Sequence, residues 1–127
     1  LALPQGEHAP EKIQRMLIKG YKNILTSYVN NRIASFQHVL DVAPAKIEIR
    51  SFKRRWGSCD NKGQLKFNWR LALAPKDVID YVIVHELCHL KYLNHSPEFW
   101  SLVEQHMPDY KTKSQWLMHN GTSLDIV

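Results

Sequence analysis

Between residues 11 and 41, apolar side chains recur every third or fourth position: Ile13, Leu17, Ile24, Leu25, Tyr28, Val29, Ile33, Phe36 and Leu40. That period is the one-sided stripe of a helix packed on a core. Pro10 suits its first turn, Gly20 weakens or bends it, and "VAPAK" stops it. The period then falls to two. "KIEIRSF" (46–52) and "LKFNW" (65–69) alternate apolar and polar, as half-buried strands do. Between them "CDNKGQ" is a turn signal rich in Asp, Asn and Gly. Together they predict a β-hairpin or small antiparallel sheet. Trp56, Gly57 and Ser58 read as a tight turn at a strand end, with Gly57 supplying backbone freedom.

The next run, "LAPKDVIDYVIVHELCHLKYL", has the Val and Ile content of a strand but the length of a helix, with no Gly or Pro after Pro75. Pro75 and Asp77 suit a helix start, so the expected element is a mostly buried helix over 75–93. "NHSP" breaks it. Ser96 can cap a following helix with Pro97 at its first position. Phe99, Leu102, Val103 and His106 give that helix one apolar side, and Pro108 ends it. Asp109 can start a last helix, which Gly121 would stop.

The 127 residues fit one domain, 1–127, with the composition of an ordinary globule. No apolar run approaches the roughly 20 residues of a membrane helix, so no membrane partner is expected. "LALPQGEHAP" lacks the basic and apolar regions of a secretory signal. The chain also lacks an initiator Met, as a piece of a longer one would. Cys59 and Cys88 lie far apart and read as reduced thiols, which points to the cytoplasm. The net charge of +5 is uneven: 50–76 carries eight Lys or Arg and one acid, Asp60, so that stretch is +7 and the remainder −2. Most of these cations fall on the outer side of the predicted strands and in loops, where they could attract phosphate, nucleic acid or acidic peptide.

The buried-helix pattern is interrupted by chemistry. His85 and His89 are four residues apart, about 40° around a helix, so both can face one ion. Glu86 lies about 60° from His89, near that face but off it, where a carboxylate can reach a water without displacing a ligand. A catalytic zinc site wants a third ligand and an open position. His95 is the best candidate, given a sharp turn that Asn94 can supply in the left-handed conformation. Glu98 is the second candidate, although it sits at a helix start. His-Glu-x-x-His arises by chance in roughly 2% of chains of this composition, and with a further His at a fixed offset in roughly 0.1%. A purely structural zinc would want a fourth Cys or His, and none is evident. His8, His38, His106 and His119 read as surface or packing residues. Three imidazoles suit zinc, and cobalt, nickel or manganese would also fit.

At these residues the chain resembles a known family. "RRWGSCDNKGQLKFNWRLALAP", "DYVIVHELCHLKYLNHSPEFW" and "MPDYK" together are similar to the YgjP-like metallopeptidase domain, one of the zincin-type zinc peptidases near the SprT and WLM groups. The resemblance spans about residues 12–120. It implies an α+β, zincin-like fold: a small antiparallel sheet packed on a buried HExxH helix, with a long N-terminal helix and C-terminal helices. It also places zinc on His85, His89 and His95, and the catalytic carboxylate on Glu86. The metzincins share the ligand spacing but have Gly where this chain has Tyr92, which argues against that group.

The expected activity is hydrolysis of peptide bonds, with Glu86 as general base. Arg55, Arg70 and Tyr92 are candidate oxyanion donors. Trp56 to Ser58 could form a substrate loop, and Asn68 and Arg70 flank the strand end before the ligand helix. Two alternatives stay open. Lys53, Arg54, Arg55, Lys66 and Arg70 could clamp a nucleotide phosphoanhydride beside the metal. Or the 50–76 stretch could bind nucleic acid, with Trp56 and Trp69 stacking bases and zinc only structural, or with a peptidase recruited to DNA.

Overall fold

The computed structural model describes residues 9–121 and 125–126. The order of elements is α1 (Ala9–Leu40), β1 (Lys46–Arg50), β2 (Arg55–Cys59), β3 (Gln64–Asn68), a 3₁₀ turn (Trp69–Leu73), α2 (Lys76–Cys88), α3 (Pro97–His106), α4 (Tyr110–Asn120) and β4 (Asp125–Ile126). The architecture is α+β, as expected. No helix among the described residues is long and apolar enough to cross a membrane. His8 lies outside the described residues.

α1 has 32 residues and is about 48 Å long. Its stripe is buried only along its second half, where Leu25, Val29, Ile33 and Leu40 enter the core. Met16, Leu17 and Ile24 stay exposed. It ends at Asp41, which takes a left-handed φ of 55°, while Val42 N–H bonds back to the Gln37 carbonyl at 3.1 Å. That wrapped cap, made by the first residue of "VAPAK", satisfies a terminal carbonyl. Tyr28 and Arg32 on α1 hold α2: the Tyr28 hydroxyl donates to Asp80 Oδ1 at 2.8 Å, and Arg32 pairs with both Asp80 oxygens at 3.1 and 3.2 Å.

The sheet is mixed rather than wholly antiparallel. Its order is β1-β3-β2-β4. The antiparallel hairpin is made by β2 and β3 around the expected turn, whereas β1, the expected partner of β3 in that hairpin, runs parallel to it with Ile47 opposite Leu65 and Ile49 opposite Phe67. β1 pairs with β3 because β2 sits on the far side of β3, so β1 and β3 enter the sheet in the same direction. The hairpin turn uses Gly63 at φ +79°, and Asp60 Oδ1 accepts from Lys62 and Gln64 N–H at 2.9 Å each. Residues 56–58 are a correction: they are strand, not a turn. Gly57 has no positive φ, and its lack of a side chain serves a close approach described below.

α2 is the centre of the molecule. Val78, Ile79 and every residue from Tyr81 to Cys88 are buried, packed between β2 and the helices α1, α3 and α4. The expected helix reached 93, but α2 stops at Cys88. Beyond His89 the chain tightens: Leu90 N–H bonds to the Leu87 carbonyl and Lys91 N–H to that of Cys88, at 3.0 and 3.1 Å. Leu93 is half exposed, so no burial holds it to a helical path. Asn94 is not left-handed, and neither is Tyr92; the only positive-φ non-glycine among the described residues is Asp41. Ser96 caps α3 as expected, its hydroxyl accepting from Phe99 N–H at 3.2 Å.

Candidate active site

His85 sits in the last turn of α2 and His89 is its capping residue, still right-handed at φ −65° and ψ −18°. The helical phase between them is therefore kept. The tight turn after His89 swings the chain back, and His95 arrives just before the Ser96 cap. The three rings converge through their Nε2 atoms: His95 Nε2 lies 3.2 Å from His89 Nε2 and 3.3 Å from His85 Nε2. All three nitrogens lie within 4.8 Å of one another. His85 and His89 are buried and His95 is exposed, so the group opens towards solvent on the His95 side.

This geometry suits a cation. Tetrahedral zinc with nitrogen ligands near 2.05 Å would hold those nitrogens about 3.3 Å apart. A shared proton does less, because a proton on His95 can bridge to only one of the other two rings. The His89 tautomer points the same way. Its Nδ1 donates to the Tyr92 carbonyl at 3.0 Å, which leaves Nε2 with a free lone pair facing the cluster. Burial, ahead of the neighbouring imidazoles, holds His85 well below the ordinary histidine range, so its ring is neutral. Burial also lowers His89, against the opposing pull of the Tyr92 carbonyl.

Glu86, about 60° around α2 from His89, reaches towards Gly57 of β2. It is fully buried, and neither oxygen has a hydrogen-bond partner among the described residues. Burial pushes its carboxyl well above the usual carboxylate range. A Cβ on Gly57 would stand 3.1 Å from Glu86 Oε2, so a side chain here would crowd the carboxylate. Orphaned buried carboxylates are costly and mark functional sites more often than structural ones.

An aromatic shell from α3 fixes the rings. Phe99 stacks on His89 with centroids 4.3 Å apart, and meets His85 and His95 edge-on at 4.9 and 5.1 Å. Trp100 stacks on His95 at 5.6 Å and on Tyr110 at 5.3 Å. Sequence reasoning placed Phe99 only on an apolar face and passed over Trp100. Their signal was position, at four and five residues after the third histidine.

The other candidates fall elsewhere. Trp56 is core, 3% exposed. Asn68 is buried, and its amide is spent on the Phe52 and Arg55 carbonyls and on the N–H of Arg70. Arg55 and Arg70 are exposed, and the Arg70 guanidinium lies over Trp69, 5.9 Å from the ring centroid. Trp69 itself stacks on Tyr21 of α1. Neither arginine has a hydrogen bond or ion pair with the cluster among the described residues. Tyr92 touches the site through its carbonyl, while its ring lines a groove of ≈ 380 Å³ with Pro97, Glu98, Ser101, Leu102 and Gln105. Glu98 is thus on a groove wall and outside the cluster. His106 is half-buried outside the cluster too, and His38 and His119 are exposed. Cys59 and Cys88 are free thiols, each pushed up to about 12 by burial first.

Comparison with known proteins adds three findings. The family model described as "YgjP-like, metallopeptidase domain" matches residues 3–120. No curated protein matches the chain. Among solved structures, the chain is similar to the metallopeptidase zymogen of Pyrococcus abyssi abylysin at 22% identity, covering 78% of this chain and 99% of that one, with a TM-score of 0.70. At that identity the likeness speaks to the fold.

Proposed function

The chain belongs to the YgjP-like metallopeptidase domain family, and from that premise we propose that it is a zinc-dependent peptidase with His85, His89 and His95 as ligands and Glu86 as general base. One observation carries the reading: the ring nitrogens of His85, His89 and His95 gather within 4.8 Å of one another, and the residue after His85 on the same helix is a buried carboxylate with no partner among the described residues. Zinc, when bound, supplies the Lewis acidity that brings water's pKa near neutrality.

The chain's own residues do the rest. Tyr92, through its carbonyl, fixes the His89 tautomer, and Phe99 and Trp100 fix the ring planes. Glu86 accepts the proton of the attacking water and returns it to the leaving amine. Its apolar surroundings raise its affinity for that proton, which suits a group that must both take and give it. The family favours a peptide substrate over nucleic acid.

The test is metal analysis with a paired variant. The purified chain should hold about one zinc. Glu86→Gln should keep that zinc and lose turnover of an unfolded protein by on the order of 10²–10⁴-fold. A variant that cleaves as fast as the parent removes Glu86 from the role. Hydrolysis of a nucleoside triphosphate without peptide cleavage would replace the peptidase reading by the phosphoanhydride one.

A further inference from the structure

The hairpin of β2 and β3 follows α2 towards its C-terminal end. Gly57 faces Val82 and Glu86, and further on Gly63 faces Leu90, where an added Cβ would stand 3.7 Å from Leu90 Cδ2. Where the hairpin turn meets the end of α2, a pocket of ≈ 300 Å³ opens. The turn contributes Asp60 and Asn61, the segment after α2 contributes Leu90, Lys91 and Leu93, and His89 of the histidine cluster lines it too. These walls suit a long side chain with a cationic head. Leu93 is half exposed and Leu90 partly buried, so both offer apolar surface to an aliphatic stem. Asp60 offers a fixed charge. Its Oδ1 accepts from the Lys62 and Gln64 N–H groups, which anchors the side chain, while its Oδ2 makes no hydrogen bond or ion pair among the described residues. The Gln64 amide, ahead of that of Lys62, holds the carboxyl below the usual carboxylate range, so it is ionised at neutral pH. The charges of Lys62 and Lys66 reach this carboxylate, but neither residue lines the pocket. The cation that does, Lys91, is exposed on a flexible stem and is free to turn out to solvent, whereas Asp60 is held.

We infer that this pocket is a specificity subsite for a lysine or arginine side chain of the substrate peptide, with Asp60 as the residue that selects it. The inference rests on the peptidase reading, because it takes His89 as a ligand of the ion beside which the peptide lies.

The test is direct binding to zinc-loaded chains that all carry Glu86→Gln, so that the peptide survives. Three fluorescent peptides share an alanine-rich sequence and differ at one position, which holds Lys, norleucine or Glu. Norleucine keeps the stem and removes the charge. The chain with no further change should bind the Lys peptide roughly three- to tenfold more tightly than the norleucine one, and the Glu peptide weakest. Asp60→Asn keeps the Oδ1 acceptor for the two amides and should bring the Lys-to-norleucine ratio down to about one. Lys91→Met should raise that ratio. Absence of the lysine preference before either substitution overturns the proposal. So does a preference that survives Asp60→Asn, and so does failure of every peptide to bind. If Asp60→Asn does not fold, Lys91→Met decides alone, and a ratio at or below the starting one overturns the proposal. Cleavage by the chain with native Glu86 is scored separately. Lysine selectivity that depends on Asp60, in a protein that never cleaves, would keep this proposal and end the peptidase reading; cleavage without that selectivity would do the reverse.

Discussion

Gly57 and Glu86 meet across the interface between β2 and α2, and that contact sets what each residue can be. A Cβ at 57 would press on Glu86 Oε2 at 3.1 Å, Val82 Cγ1 at 3.2 Å and the Lys66 carbonyl at 3.3 Å. Something must then give by a few tenths of an ångström, and the carboxylate is a movable member of the three. Gly57→Ala is therefore expected to cost about 1–3 kcal/mol of stability as overpacking. It should also cut turnover on the order of tenfold or more, because the base is displaced, while zinc content stays at the parent's value. Denaturant unfolding, steady-state kinetics and metal analysis measure the three separately. Loss of zinc in step with activity would mean that the strand supports the ligands rather than the carboxylate.

At the scale of elements, the site is a junction: α2 brings His85, Glu86 and His89, the tight turn brings Tyr92 and His95, and α3 brings the aromatic clamp. Ser96 is the hinge of that junction, since it caps α3 one residue after the third histidine. Ser96→Ala should cost about 1 kcal/mol, the usual loss for an N-cap hydroxyl. Because the first turn of α3 carries Phe99 and Trp100, zinc affinity should fall several-fold as well, with competition against a coloured chelator as the readout. Unchanged affinity would show that the rings hold their places without α3.

Over the whole molecule, the cationic groove and the histidine cluster are segregated. Arg15, Lys19 and Lys22 of α1 line a groove with Ile18 and Ser51, so the basic stretch of the β1–β2 connection gains three cations from a distant part of the chain. This groove is built without any residue of the histidine cluster. The core is large and apolar, with Leu65, Phe67, Leu71, Val82, Ile83 and Leu87 fully buried. Removal of metal should thus leave a folded chain with a lower melting temperature. Free zinc at a thousandfold over Kd stabilises by about 4 kcal/mol, which for a domain of this size is on the order of 10 °C. Calorimetry with and without chelator measures it. His95→Ala should lie at the chelated value and fail to respond to added zinc. A response equal to the parent's would place the ion elsewhere.

What the sequence determined by itself was whatever depends on near neighbours along the chain. Helical phase puts His85 and His89 on one side whatever surrounds them, Ser96 and Pro97 start a helix through bonds within four residues, and Asp60 to Gly63 turn through their own side chain and φ. The helices and strands were legible in the same periods, and the α+β class was what the family resemblance implied. What only the tertiary structure decided are the relations between segments distant in sequence. The parallel pairing of β1 with β3 depends on where β2 inserts, and the end of α2 at Cys88 depends on Leu93 finding no core. Gly57 read as a turn because glycine is freest there, but its reason is a carboxylate 29 positions later that a methyl group would crowd. Trp100 gained its place against His85 and Tyr110 in the same way: contact across space selects a residue for the gap it fills, and no period along the chain records that gap.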